Sequence, residues 1–459
     1  MTEKLVVIGG DAAGMSAASQ ARRRRGPEEL EIVAFERGNY TSYSACGIPY
    51  LLGGTVDDLA DLVVRTPDEF RERQSIDVRI RHEVTEIDLD ARKVVVRNLE
   101  DGSGSVEGFD ILHIATGARP IRPPWPGIES EGVFGVQVLG DVEAIQEYMH
   151  RHQPRRAVIV GGGYIGLEMA EAMAARDLSV TLVENAPEPM RTVDPDMGAA
   201  IRQAMEEIGC EVRTGVTAQG FESTEGRVRA VATDHGDVEA DIVVLGLGVE
   251  PNAQLAAAAG LEIGTSGAIA VDRRMLTSAE GVYSAGDCAE KFHRVSRRGV
   301  AIALGTHANK EGRVAGVNMG GGYETFPGVV GTAAVKVCDV EVARTGLNEA
   351  EAAAAGFEYF TTIAESTTRA GYLPGAKQVK IKLVVEVGTG RLLGAQIVGE
   401  ENAAKRIDAF AAMLWHEMTV DDIMHVDLAY APPLAPAWDP VLIVARKAWE
   451  RLERSRGDA

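Results

Sequence analysis

One pattern occurs twice in this chain and restricts the folds open to it more than any other feature. A short apolar strand runs into a glycine-rich turn, an amphipathic helix follows, a second apolar strand returns, and a glutamate closes the segment. The first copy runs from KLVVIGGDAAGMSAASQARRRR to EIVAFE and ends in Glu36; the second runs from RAVIVGGGYIGLEMAEAMAARD to SVTLVE and ends in Glu184. Two strands joined through a helix must lie parallel, and parallel strands are covered on both faces, which is why both strands read as continuous apolar runs. Each copy therefore predicts a βαβ unit whose turn presents backbone N–H groups at the positive end of a helix, a setting that favours a pyrophosphate.

The second turn carries the full GxGxxG spacing in Gly161, Gly163 and Gly166. Glu184 suits a ribose diol and repels a 2′-phosphate, and no cation follows it before Arg191, so NADH is expected, with NADPH admitted as an alternative. The first turn has Gly9 and Gly14 at the outer positions and Asp11 at the middle one. Downstream, DILHIATGARP (110–120) and GVYSAGDCAE (281–290) each lead a strand into a small-residue turn. Small side chains there let a bulky flat ligand approach, and Asp287 is placed to accept hydrogen bonds from a ribityl hydroxyl.

At 459 residues the chain exceeds one core, and roughly 150 residues per domain predicts three. From about Phe326 the pattern changes: AAVKVCDVEVA and KQVKIKLVVEV read as strands and KRIDAFAAMLWHEM as an amphipathic helix, an α+β module without a phosphate turn. Its apolar faces are expected to dock on the other modules or on a second copy. A net charge of −21 disfavours nucleic acid and anionic membrane surfaces, despite the basic cluster at 22–25 that ends the first helix. No apolar run reaches the roughly 20 residues of a bilayer span, and the opening LVVIGG reads as a strand rather than a secretion signal, so a cytoplasmic protein is expected. Cys46, Cys210, Cys288 and Cys338 are too scattered for a disulfide framework or a zinc site. The histidines form no helical pair with a supporting carboxylate, so no metal centre is expected.

The motifs in this order resemble the pyridine nucleotide-disulfide oxidoreductase superfamily. Within it, SYSACGIPYLLGG (42–54), GTHANKEGRVAG (305–316) and DLAYAPP (427–433) resemble the coenzyme A-disulfide reductase and NADH oxidase branch. The resemblance implies an α/β chain with two Rossmann-like three-layer domains and a C-terminal α+β dimerisation domain. FAD would be held by residues 1–118 and 246–325, NAD(P)H by 119–245, and a partner subunit by 326–459. FAD would lie against Gly9, Ala13, Gly14, Glu36, Arg37, Val84, Thr116, Gly117 and Asp287. NAD(P)H would lie against Gly161, Gly163, Tyr164, Ile165, Gly166, Glu168, Glu184 and Gly248.

Many relatives cycle a CxxxxC pair, whereas this chain has Cys46 with Leu51 at the second position. A lone thiol holds a two-electron oxidation only as a mixed disulfide with an external thiol or as a sulfenic acid. A helix starting at Cys46 would lower its pKa toward a reactive thiolate. The resemblance also implies that Tyr372 and Tyr430 act as proton donors in the partner subunit's site, and that coenzyme A runs past Ala12, Gln20, Arg23, Ser42 and Tyr43. Ala45 and Gln74 depart from the asparagine and the basic residue that some relatives have there. The expected function is NAD(P)H-dependent reduction of coenzyme A disulfide through Cys46 in a homodimer. The alternatives are a polysulfide or persulfide reductase, an oxidase or peroxidase working through flavin or a Cys46 sulfenate, and a flavoprotein that signals by conformation.

Overall fold

A computed structural model describes residues 2–457. Both βαβ units form, and each seeds an all-parallel five-stranded sheet. In the first sheet the spatial order is Val282–Ser284, Ile111–Ile114, Glu3–Ile8, Leu30–Phe35 and Asp77–Arg79. In the second it is Glu211–Thr214, Ser179–Glu184, Arg156–Val160, Ile242–Leu245 and Val133–Gly135. The central strands are buried over all but their first residues, from Leu5 to Ile8 and from Ala157 to Val160. Helices cover one face of each sheet and a three-stranded antiparallel sheet the other, His82–Asp88, Lys93–Asn98 and Gly104–Gly108 on the first and Ala218–Thr224, Arg227–Thr233 and Val238–Glu239 on the second. Water therefore reaches neither face, and polar alternation is not needed.

The first crossover helix, Ala12–Arg24, packs against Gly305–Met319 at a separation that only small residues permit. A Cβ on Gly312 would stand 2.3 Å from the Ala13 carbonyl oxygen, and one on Gly316 2.4 Å from that of Ala17. This contact locks the helix that carries the first phosphate turn to the segment that follows Asp287.

The C-terminal module is a five-stranded antiparallel sheet ordered Ala333–Val337, Val340–Gly346, Leu392–Gly399, Gln378–Glu386 and Tyr359–Thr367, backed by the helices Ile407–Trp415 and Pro440–Gly457. The run AAVKVCDVEVA is two strands, not one. Cys338 takes φ +53° and reverses the chain between them, a conformation that the apolar alternation does not reveal.

One apolar cluster joins the modules. Ile48, Leu51 and Leu52, just after Cys46, pack with Leu167 and Met173 of the helix Tyr164–Ala174 and with Val335 and Val342 of the C-terminal sheet. Among the described residues no helix is long and apolar enough to cross a membrane.

Candidate active site

A cavity of about 1940 Å³ opens between the two parallel sheets and is lined by both phosphate turns. Gly9 takes φ +109° and Gly161 φ +103°, each at the point where its strand ends. A Cβ on Gly14 would come within 2.0 Å of the Gly9 carbonyl oxygen, and one on Gly166 within 1.9 Å of that of Gly161, so the third glycines seat the helices on the turns. Gly163 differs: a Cβ there meets only the Gly246 carbonyl oxygen, at 3.7 Å. Its missing side chain leaves room in the cavity.

The two acidic residues are held in the same way. Glu36 Oε2 accepts from Gly10 N and Oε1 from Gly38 N, both at 2.7 Å. Glu184 Oε2 accepts from Gly162 N and Oε1 from Ala186 N, both at 2.7 Å. Each carboxylate lines the cavity with its outward lone pairs free to receive a diol. The Asp287 carboxyl supplies the strongest sign of a missing ligand: its Oδ1 is buried and has no hydrogen-bond partner among the described residues, although the residue lines the cavity. Buried acceptors are rarely left unmade, and a polyhydroxyl chain satisfies this one. An FAD therefore fits the wall formed by Gly9, Glu36 and Asp287.

Asp11, at the middle position of the first turn, directs its Oδ1 to the Tyr43 N–H at 3.1 Å, while Ser42 N donates to the Gly10 carbonyl at 3.0 Å. These bonds staple the cysteine loop to the phosphate turn, a role that a glycine at position 11 would not supply. Burial pushes the Asp11 carboxyl up to about 6, against the pull of the Tyr43 N–H. Ser42 sits at φ +48° inside this staple.

Cys46 lies in a short 3-10 turn, Ala45–Gly47, ahead of the six-residue helix Ile48–Gly53. Of the four cysteines it alone is exposed, and it opens into the cavity. The expected lowering of its pKa is corrected here. Although the residue is exposed, its sulfur is partly withdrawn from water by the cavity walls, which pushes the thiol up, and the carboxyls of Glu168, Asp287 and Asp11 push it the same way. Glu168 stands on the first turns of the helix Tyr164–Ala174, and burial, with Glu171 adding to it, raises its carboxyl to about 7.

Arg37, Val84, Thr116, Gly117, Tyr164, Ile165 and Gly248 also line the cavity. The Thr116 hydroxyl is engaged by the Asn252 carbonyl at 2.7 Å, and the Asn252 amide returns a 2.8 Å bond to the Thr116 carbonyl. Ala13 does not line the cavity; its carbonyl meets Gly312 and its Cβ stands against Gly286. Ala12 and Tyr43 line the cavity, whereas Ser42, Gln20 and Arg23 do not; Ala12, Gln20 and Arg23 share one face of the helix that leads away from it. The basic cluster disperses. Arg22 donates to the Ser75 carbonyl at 3.0 Å, Arg25 pairs with Glu3, and Arg23 donates to Gln20 Oε1 at 3.3 Å.

Tyr372 and Tyr430 stand apart from this cavity on C-terminal loops, 75 % and 53 % exposed. Ala370 N donates to the Pro432 carbonyl at 3.0 Å, which ties their two loops together. Reading the sequence missed Asn252, Tyr50 and the cavity-facing position of Arg191, all of which line the cavity. Tyr50 follows Cys46 by one helical turn and carried a findable signal; Asn252 and Arg191 are brought in by chain reversals. Three carboxylates, Asp194, Asp196 and Glu349, cluster at metal-like spacing, but the position they share is filled by the Lys382 ammonium, at 3.0, 2.8 and 2.5 Å respectively.

Comparison with known proteins decides the family. The family model for pyridine nucleotide-disulphide oxidoreductase matches residues 3–322, and the model for the dimerisation domain of that family matches residues 332–441. This chain belongs to the pyridine nucleotide-disulphide oxidoreductases. These are FAD-dependent enzymes, and the chain carries their dimerisation domain. It is 40 % identical to the NAD(P)H coenzyme A polysulfide/persulfide reductase of Pyrococcus horikoshii, over 97 % of this chain and 98 % of that protein. The solved NAD-dependent persulfide reductase from A. fulgidus matches with a TM-score of 0.94 and 40 % identity, covering 98 % of this chain and 84 % of the other. The reduced CoADR-RHD of Bacillus anthracis matches with a TM-score of 0.94 and 34 % identity, covering 99 % and 81 %.

Proposed function

We propose that this oxidoreductase uses NAD(P)H to reduce a disulfide or persulfide of coenzyme A through Cys46, as a homodimer in a reducing cytoplasm. The observation that carries the reading is the position of Cys46 as the one exposed cysteine, opening into a cavity shared by two dinucleotide turns. FAD is assigned to residues 1–118 and 246–325, NAD(P)H to 119–245, and the partner contact to 326–459. Gly9, Glu36 and Asp287 would hold FAD, which when bound would supply two-electron transfer between the nicotinamide and the thiol site.

The remaining steps belong to side chains. The Cys46 thiolate attacks one sulfur of the substrate disulfide, the S–S bond breaks, and the first thiol leaves while Cys46 holds the other half as a mixed disulfide. An electron pair then cleaves that bond, restoring the Cys46 thiolate and releasing the second thiol, so that one NAD(P)H and one proton yield two thiols. With a persulfide, the products are one thiol and sulfide. Tyr372 and Tyr430 of the opposite subunit protonate the departing thiolate, which suits their exposure in a single chain. Ala12, Ser42 and Tyr43 guide the pantetheine arm, and Gln20 and Arg23 along the helix face meet the phosphates. Arg191 in the cavity wall supplies a cation for a 2′-phosphate, so NADPH joins NADH as a donor.

The test is anaerobic NADH oxidation with coenzyme A disulfide as the sole acceptor, native against Cys46→Ser at equal FAD content. Turnover that vanishes in the variant supports the proposal. A native enzyme that consumes NADH only when oxygen or peroxide is admitted overturns it in favour of an oxidase.

A further inference from the structure

Lys291 and Glu311 lie fully buried beneath the turn that carries Asp287, and no step of the proposed chemistry uses them. Lys291 Nζ stands 3.4 Å from Glu311 Oε2. Glu311 belongs to the helix Gly305–Met319, and Lys291 opens the short strand Lys291–Phe292. Between the two charges sits Gly286, held by both of its backbone polar groups. Its N–H donates to Glu311 Oε2 at 2.9 Å, and its carbonyl accepts from Lys291 Nζ at 2.7 Å. The same ammonium donates to the Ala289 carbonyl at 3.0 Å, across the turn.

Gly286 takes φ +84°, and a Cβ on it would stand 2.8 Å from that of Ala13. The turn therefore needs a glycine, the residue with the widest backbone freedom when nothing holds it. Next in the chain is Asp287, which lines the cavity and whose buried Oδ1 lacks a partner among the described residues. The direction of that carboxyl follows from the peptide group before it, and this is the peptide whose carbonyl Lys291 holds.

Stability does not account for the pair. Two charges taken out of water lose about as much as their attraction returns, and apolar side chains of similar volume serve a fold as well. Glu311 Oε1 adds a cost of its own, being buried without a hydrogen-bond partner among the described residues. What the pair supplies, and an apolar pair does not, is an acceptor and a donor for the two backbone groups of Gly286.

We infer that Lys291 and Glu311 are positioning residues for FAD, which fix the Gly286 turn so that the Asp287 carboxyl is aimed before the cofactor arrives. The inference rests on the reading that Asp287 receives a ribityl hydroxyl. A turn fixed in advance has less freedom to lose on binding, so the pair favours the complex without entering the chemistry.

The experiment is serial dilution of the full-length holoenzyme, with released FAD read by its fluorescence to give the Kd. Lys291→Met together with Glu311→Met leaves neither charge buried alone, so this double variant keeps its fold. It is expected to raise the Kd for FAD roughly tenfold or more, and a Kd within about twofold of native overturns the inference. Glu311→Gln retains an acceptor for the Gly286 N–H and should hold the Kd within about threefold of native. A glutamine variant as weak as the double methionine one also overturns it. In an Asp287→Ala background the double variant should weaken FAD no further. Additive effects there overturn the inference while leaving the reading of Asp287 in place. An Asp287→Ala protein that binds FAD as tightly as native removes that reading and the inference with it.

Discussion

Glu184 Oε2 accepts a 2.7 Å hydrogen bond from Gly162 N, inside the turn expected to cradle the pyrophosphate. The residue that would read the ribose is thus anchored to the residues that would read the phosphate, and Arg191 lies in the same cavity wall. A hydrogen bond to a charged group contributes about 1.5–3 kcal/mol, and 1.4 kcal/mol is tenfold in affinity. Glu184→Ser should therefore lower kcat/KM for NADH by roughly tenfold or more and shift the ratio toward NADPH, whereas Arg191→Ala should weaken NADPH alone. Steady-state kinetics with both nucleotides checks this; an unchanged ratio in both variants would remove these residues from the specificity site.

Glu168 and Cys46 are coupled by charge. Glu168, with its carboxyl raised to about 7, is mostly neutral below that pH and ionised above it. Its negative form opposes thiolate formation at Cys46. Glu168→Gln should thus increase the rate of Cys46 alkylation by iodoacetamide at pH 8 by several-fold, with a smaller increase at pH 6, measured by mass spectrometry on the reduced, FAD-loaded protein. A variant rate equal to the native rate at each pH would mean that the two groups do not communicate.

The exposed tyrosines permit a test of catalysis across subunits. Tyr372→Phe with Tyr430→Phe should lower disulfide reduction by on the order of 100-fold, the loss expected of a missing proton donor. Subunits of this double variant, unfolded and refolded with subunits of Cys46→Ser, form hybrids in which one site of the two is complete. Random pairing in equal amounts should recover roughly a quarter of native activity. Hybrids with no recovery would place the tyrosines in the service of their own subunit.

Lys382 is 1 % exposed and faces three carboxylates contributed by the loop before the helix Pro195–Glu207, by that helix, and by the helix Glu349–Ala355. Burial opposes its charge, but hydrogen bonds to Asp196, Glu349 and Asp194 outweigh that and raise its pKa. Lys382→Met leaves these carboxylates without a cation. Asp194 is buried, but Asp196 and Glu349 are partly exposed and screened by water, so the variant should destabilise the protein by about 1–2 kcal/mol, seen as a lowered calorimetric Tm. An unchanged Tm would show that solvent reaches the carboxylates and screens them.

Much of this protein was legible in order along the chain, because the determinants were local. A strand, a tight turn and a helix are specified by contiguous residues, so both βαβ units, the spacing of Glu36 and Glu184, and the candidate thiol Cys46 follow from the sequence and reappear in the fold. What failed was nonlocal. The thiol's environment depends on Glu168 and Asp287, which are 122 and 241 positions away along the chain, and burial there outweighs the weak dipole of the six-residue helix Ile48–Gly53. The basic cluster at 22–25 was spent on Glu3 and the Ser75 carbonyl, partners that no local pattern names. Arg191 lines the cavity only because the loop after Glu184 folds back over the turn, and the hold of the C-terminal Arg344 on the Thr192 carbonyl exists only once two modules meet. Local chemistry decided the parts and their spacing, since backbone conformation responds to near neighbours; packing decided charge, exposure and contact, since those depend on whatever distant residues the fold brings into the same low-dielectric space.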